Sequence, residues 1–297
     1  MKKTYIDHKF KAPALELIKE IDGIVTDYQR QGYEITLRQL YYQLVAKNII
    51  RNKQSEYKQV GKITGEARKA GLLDWDIIVD RTRCISKFDH WRDPGEIIRY
   101  YSHLYHIDTR IDQPTYIEIW SEKDALASVL EPICDKHDVP MFICRGYSSI
   151  TAKYQASKRL LRYEDRNPTV IYLGDHDPSG LDMPRELRES FDMYGCFFVE
   201  IKRIALTMTQ IEEYSLPPNP TKSTDSRAAK YFAEHGNQSW ELDALHPDVL
   251  SKLVDGEIDA LTDHTKLAVQ LEIQLSHREE LRKIADRLDY DDDEDVF

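Results

Sequence analysis

The stretch TVIYLGDHDPSG, residues 169–180, decides how this chain is read. Thr169–Leu173 is a short apolar run of strand length. Gly174 follows, then Asp175, His176 and Asp177, with Pro178 stiffening the turn. The two aspartates stand two residues apart, so both can aim at one point. A helix is expected over 180–190.

The same alternation continues outward on both sides. Tyr116–Trp120 reads as a strand that runs into Ser121 and Glu122. A helix over 123–137 follows, which Pro132 must kink or shorten. Val139–Cys144 reads as a strand, 149–163 as a helix and Phe197–Ile204 as a further strand. Short apolar strands separated by helices imply βαβ units and a parallel sheet. Ligands of such sheets bind beyond the carboxyl ends of the strands. Glu122, Asp175 and Asp177 gather at that edge. Hard oxygen donors without paired cysteines suit Mg²⁺ or Mn²⁺, and three clustered acids would otherwise repel one another. A lone Glu122 or Asp175 would be read as the cap of the next helix; the set of three reads as a metal site. His176 is open between ligand, general base and polar turn residue.

Upstream, the chain reads as mostly helical. Residues 13–30 form one helix, with Leu15, Leu17, Ile18, Ile21 and Ile24 as apolar positions. Thr36-Leu-Arg-Gln39 is a capping-box pattern, and Leu37, Leu40, Tyr41, Leu44 and Val45 continue it as one apolar stripe. A third helix is expected over 55–70, capped by Ser55 and ended near Gly71. Lys58, Lys62 and Lys69 can share one of its exposed faces. LLDWDIIVDRTR, residues 72–83, reads as a short strand or wing. Helix, helix and β-wing is the outline of a winged helix-turn-helix, which often sets a helix in a DNA groove. Plain helical bundles share that outline.

The 297 residues are enough for about two domains at roughly 100–200 residues each. The polar, proline-bearing DTRIDQPT near 105–115 separates the halves. Pro217, Pro218 and Pro220 mark a loop, and an amphipathic stretch follows near 264–288. No window approaches the ~18 consecutive apolar residues of a membrane helix. The start, MKKTYIDHKFK, has no apolar run behind its lysines and reads as no secretory signal. Cys84, Cys134, Cys144 and Cys196 are widely spaced, which argues against a zinc site or disulfide framework and fits a reducing cytoplasm. The net charge of −11 is uneven: residues 1–110 carry 20 Lys and Arg against 15 Asp and Glu. The last twelve residues, DRLDYDDDEDVF, carry −6. Charge alone leaves a DNA-facing first half and ordinary variation equally open.

The acids carry a resemblance. Glu after a first strand and Asp-x-Asp after a later one resembles the Toprim domain of topoisomerases, primases and OLD-type nucleases. Ser-Glu-Lys-Asp-Ala (121–125) and Asp-His-Asp-Pro-Ser-Gly (175–180) resemble the VEKxA and DxDPxG segments of the topoisomerase VI A subunit and its meiotic double-strand-break relatives. That family carries R-[DE]-[IL]-[FY]-Y in a preceding winged helix, and Arg38-Gln39-Leu40-Tyr41-Tyr42 matches it here. The match puts the nucleophile at Tyr42. Helix geometry agrees: Tyr41 lies in the apolar stripe, whereas Tyr42 is turned about 100° away and shares a face with Arg38. A guanidinium beside a phenol is expected to lower its pKa and hold the scissile phosphate. The resemblance covers about residues 30–205 and is nearest to the compact mini-A proteins of phages and plasmids. Two departures stand out. Gln39 replaces an acid, and Cys144-Arg145-Gly146-Tyr147-Ser148 lacks the family's Gly-Lys-Gly and Pro-Asp signature.

The fold expected is therefore α/β, in three parts. Residues 1–110 form a winged-helix (CAP-like) DNA-binding domain, 111–205 a Toprim domain with a parallel sheet, and 206–297 a C-terminal helical extension with an acidic tail. The resemblance implies a type IIB topoisomerase A-subunit-like transesterase. Tyr42 and Arg38 would be catalytic, and Glu122, Asp175 and Asp177 would hold Mg²⁺ or Mn²⁺. Duplex DNA would lie on Lys58, Lys62, Arg68, Lys69, Arg81 and Arg83. A homodimer in the cytoplasm, at the nucleoid and without membrane contact, is implied. A separate ATPase subunit stays open, since this chain contains no GHKL ATPase. The rivals are a Toprim nuclease that cuts by hydrolysis and a DNA-binding subunit of a plasmid or phage complex.

Overall fold

The structure is a computed structural model that describes residues 2–79, 88, 90–144, 149–220 and 228–291. Three helices open the chain: α1 (Ala12–Arg30), α2 (Leu37–Ala46) and α3 (Gln54–Lys69). They share one core, built from Ile18, Ile21, Ile24, Val25 and Tyr28 of α1, Leu40, Tyr41, Leu44 and Val45 of α2, and Val60, Ile63 and Ala67 of α3. Leu15 is exposed instead, because it falls outside the α1 stripe. The α2 capping box forms as its sequence predicts. Gln39 N–H donates to Thr36 Oγ1 at 3.3 Å, and Thr36 N–H donates to Gln39 Oε1 at 2.9 Å. A glutamine suffices for that role. Lys53, not Ser55, is the N-cap residue of α3, and Gly71 follows the helix at φ +76°, a conformation suited to glycine.

Residues 72–79 do not form the expected strand. They make one isolated bridge, Ile35 to Ile78, with Ile35 N–H on Ile77 O at 2.9 Å and Val79 N–H on Ile35 O at 3.1 Å. Ile35 stands in the short link between α1 and α2, which supports an isolated bridge and no ladder. Residues 80–83, the rest of that expectation, lie outside the described residues.

The second half holds the parallel sheet. After α4 (Pro94–Leu104) come β1 (Ile117–Ser121), α5 (Ala127–His137), β2 (Met141–Ile143), α6 (Ile150–Leu160), β3 (Thr169–Leu173), α7 (Pro178–Met193) and β4 (Glu200–Ala205). The order is β2-β1-β3-β4, all parallel. Every residue of β1 and β3 is buried, as a sheet covered on both faces requires. Pro132 sits in the second turn of α5, and a 3₁₀ turn at Asp124–Leu126 precedes it, so the expected helix is shortened at its start. β4 begins three residues later than expected and leaves Phe197 73% exposed. Then follow α8 (Met208–Glu213), β5 (Asn219–Pro220), α9 (Ala228–His235), β6 (Gln238–Ser239), α10 (Pro247–Ala260) and α11 (His264–Asp291). β5 and β6 pair antiparallel.

The chain forms two compact units. One contains residues 1–81 and 117–258; the other contains 82–116 and 259–297. In the second, α11 packs along α4. Arg278 Nε donates to Tyr105 O at 2.8 Å, and Gln113 exchanges two hydrogen bonds with the backbone of Asp263. Among the described residues no helix is long and apolar enough to cross a membrane. Cys134, Cys144 and Cys196 are buried and not joined in a disulfide, and Cys84 lies outside the described residues.

Candidate functional site

The carboxyl edge of the sheet carries the expected acids. β1 ends at Ser121, and Glu122 follows; β3 ends at Leu173, and Asp175 and Asp177 follow. Glu122 does not cap a helix but reaches across the edge, where its Oε2 accepts Asp175 N–H at 3.2 Å. The helix cap is Asp177, whose Oδ1 accepts Gly180 N–H at 2.6 Å and starts α7. The turn admits no side chain at Gly180: a Cβ there would stand 2.2 Å from the carbonyl oxygen of Asp175.

A segment from far along the chain completes this edge. His176 and Trp240 form an antiparallel bridge, with N–H to O distances of 2.8 and 3.0 Å. The bridge sets residues 241–243 against the acids. Leu242 N–H donates to Asp175 Oδ1 at 2.8 Å. Lys123 Nζ lies 2.5 Å from Asp175 Oδ2 and also contacts Glu241. Arg38, reaching in from α2, donates from Nε to Asp243 Oδ2 at 3.1 Å and from Nη2 to Glu241 Oε2 at 3.4 Å. Its guanidinium stands 5.5 Å from the ring centre of Tyr42. Arg203 of β4 donates to the backbone oxygen of Asp175 at 2.9 Å.

This edge is an electrostatic cluster. Burial raises the Asp175 carboxyl well above the usual range; Lys123 opposes the shift, while Glu241 and Glu122 add to it. Burial raises Glu122 and Asp243 in the same direction. Burial alone would also raise Glu241, but Lys123 and Arg38 outweigh it and hold that carboxyl low. Burial would lower Lys123 and Arg38, yet the facing acids overcome it and keep both charged.

Tyr42 differs from the expectation. Its phenol pKa is raised, not lowered: burial dominates, Glu241 adds to it, and Arg38 and Lys123 only partly offset them. Arg38 spends its charge on Asp243 and Glu241 as well as on the phenol. Tyr41 is core, with its hydroxyl on Asn52 Oδ1 at 2.9 Å. Arg38, Tyr42, Asn52, Gln54, Tyr57 and Glu241 are among the residues that line an open cavity of about 430 Å³.

The remaining candidates divide. Lys58, Lys62 and Lys69 are exposed along α3. Arg68 is engaged in packing: it contacts the Trp75 carbonyl and lies 4.6 Å over the Trp75 ring. Arg81 and Arg83 lie outside the described residues, as do residues 145–148. His176 turns into an aromatic pocket, with Nδ1 3.0 Å from Tyr231 Oη, and burial lowers its pKa to about 4.

The donors suit a hard divalent cation in kind. All are carboxylates, and Glu122, Asp175, Asp177, Glu241 and Asp243 outnumber Lys123, Arg38 and Arg203. Burial is the main cause of the raised carboxyls at Asp175, Glu122 and Asp243, and neighbouring acids add to it. As placed, among the described residues no three His, Cys, Asp or Glu side chains form a ready metal-binding group. A cation would therefore have to take Asp175 from Lys123.

Sequence reasoning missed Glu241, Asp243, Lys123 and Arg203. Lys123 was visible beside Glu122 in the 121–125 motif, without a role. Glu241-Leu-Asp243 repeats the Asp-x-Asp spacing, but nothing local ties that loop to β3. No family model matches the chain, and no curated protein does either.

Proposed function

We propose that the chain is a DNA-cleaving tyrosine transesterase of the topoisomerase VI A-subunit kind, with α1–α3 as a winged-helix-like module and the parallel sheet as a Toprim-like one. The observation that carries this reading is the bridge between α2 and the acid edge. Arg38, one turn from Tyr42, shares Glu241 with Lys123, which in turn holds Asp175. Nucleophile candidate, cations and acids thus belong to one charge network.

In the proposed reaction Tyr42 Oη attacks a backbone phosphorus and the bond to the 3′-oxygen breaks. Tyr42 loses one proton and the 3′-oxygen gains one, so the exchange is balanced. A 5′-phosphotyrosyl link conserves the bond energy for resealing. Arg38 would hold the non-bridging oxygens, which gain charge in the transition state. Glu122, Asp175 and Asp177 would hold Mg²⁺ or Mn²⁺, which supplies neutralisation of the phosphate and of the leaving oxygen when bound. The exposed lysines of α3 would position duplex DNA through its backbone. A homodimer would pair two such breaks.

The test uses supercoiled plasmid with Mg²⁺ or Mn²⁺, stopped with detergent and analysed with and without protease. Wild type is expected to leave protein on 5′ ends. Tyr42→Phe should abolish that adduct. Tyr41→Phe should keep it, at a cost of about 1 kcal/mol in stability from the lost hydroxyl bond. Free ends made equally by wild type and Tyr42→Phe would replace this reading with hydrolysis at the acid edge. The raised phenol of Tyr42 is the observation on the side of that rival.

A further inference from the structure

Two acids hold Arg38, and they differ in kind. Asp243 is fully buried and takes Nε at 3.1 Å, so it anchors the guanidinium from behind. Glu241 approaches from the open side. Its side chain is 24% exposed and lines the cavity that holds Tyr42. One of its oxygens, Oε2, accepts from two cations on separate elements, Arg38 Nη2 and Lys123 Nζ. An anionic oxygen shared by a guanidinium and an ammonium, beside a tyrosine, is what a bound phosphate oxygen would also be.

We propose that Arg38 and Lys123 form a binding site for a nucleic-acid phosphodiester and that the Glu241 carboxylate occupies it as an internal stand-in. This deepens the function proposed above and rests on it for the identity of the ligand. Displacement breaks two contacts of unequal strength: Lys123 holds Glu241 closely with little exposure, so an anionic ligand oxygen has to replace that charge-assisted bond. The contact of Glu241 with Arg38 is long and partly exposed, and such ion pairs contribute little. Both cations keep a partner when Glu241 leaves, Arg38 on Asp243 and Lys123 on Asp175. The two anchors stay while the shared oxygen is exchanged for one of the ligand. Lys123 thereby becomes a second phosphate-holding residue.

The experiment is a fluorescence anisotropy titration of a labelled 30-base-pair duplex at fixed salt, in EDTA, so that no cleavage is required. Wild type, Glu241→Gln, Lys123→Gln and the double variant are compared, each checked by thermal unfolding. Glu241→Gln is expected to tighten binding by about tenfold, the scale of one freed charge-assisted contact. Lys123→Gln should remove most of that gain in the double variant. Unchanged or weaker binding by a folded Glu241→Gln protein overturns the proposal. So does a gain that survives intact in the double variant, since it would report net charge alone. Should Glu241→Gln fail to fold, Glu241→Asp keeps the charge but draws it back by one methylene; a smaller gain is then expected, and no gain overturns the proposal. The outcome is separable from the transesterase reading. Tighter binding without any covalent adduct keeps the anion site and removes the tyrosine chemistry; an adduct with unaltered affinity does the reverse.

Discussion

Tyr41 and Tyr42 are neighbours that differ in burial, and the α-helix decides between them. A turn of about 100° buries Tyr41 in the core and leaves Tyr42 half-buried beside Arg38, although both reach the cavity. The cost of that position is a phenol made harder to ionise by burial and by Glu241. At neutral pH it is therefore protonated. The phenolate that the proposed transesterification needs grows as pH rises, so that reading predicts a rate of adduct formation increasing about tenfold per pH unit between pH 7 and 9. Lys123 and Arg38 stay charged throughout that range because their acid partners raise them, so neither cancels the trend. Single-turnover rates in SDS-quenched reactions would read the slope. A flat profile would mean that the phenol is already ionised in the DNA complex, or that another step sets the rate.

At the scale of elements, one ion pair holds α6 against the sheet. Glu118 of β1 is buried; its carboxylate takes Arg159 Nε at 2.7 Å and Nη2 at 2.8 Å, and it also accepts Trp120 Nε1–H at 2.9 Å. Removing the cation takes two charge-assisted bonds from a buried carboxylate that keeps its Trp120 N–H bond, so Arg159→Met should cost about 1.5–3 kcal/mol in urea unfolding. The double variant with Glu118→Gln should recover part of that loss. This pair shows what sequence could and could not supply. The strand Thr169–Leu173 and the α2 capping box could be read residue by residue, because periodicity and caps are local. Glu118 lay inside an apparent apolar strand, and its partner is 41 residues away. The strand or wing expected over 72–83 is reduced to one bridge within its described part, 72–79, for the same reason, since a ladder depends on a partner elsewhere in the chain. Glu122, Asp175 and Asp177 were legible from their places at strand ends, whereas Glu241 and Asp243 reach the edge only through the His176–Trp240 bridge.

For the molecule as a whole, the charge of −11 and a nucleic-acid partner are compatible only if positive charge is gathered in one place. Residues 47–69 hold seven basic side chains against two acidic ones. Of the lysines on α3, Lys58, Lys62 and Lys69 are exposed, while Arg68 is taken up by Trp75. A binding face of that size neutralises few phosphates. Each phosphate contact releases about 0.9 of a condensed counterion, so the plot of log K against log salt should have a slope of about −3 to −4 for this duplex. Lys58→Gln with Lys62→Gln should reduce the magnitude of that slope by about 2 and weaken binding equally for unrelated sequences, because backbone contacts read no bases. A slope unchanged by the double substitution would make the α3 face a solvated helix surface and move the DNA to Arg38 and Lys123. Those two cations, held among acids, contribute to the slope only to the extent that DNA displaces Glu241. A steeper salt dependence in Glu241→Gln than in wild type would therefore separate their share from that of α3.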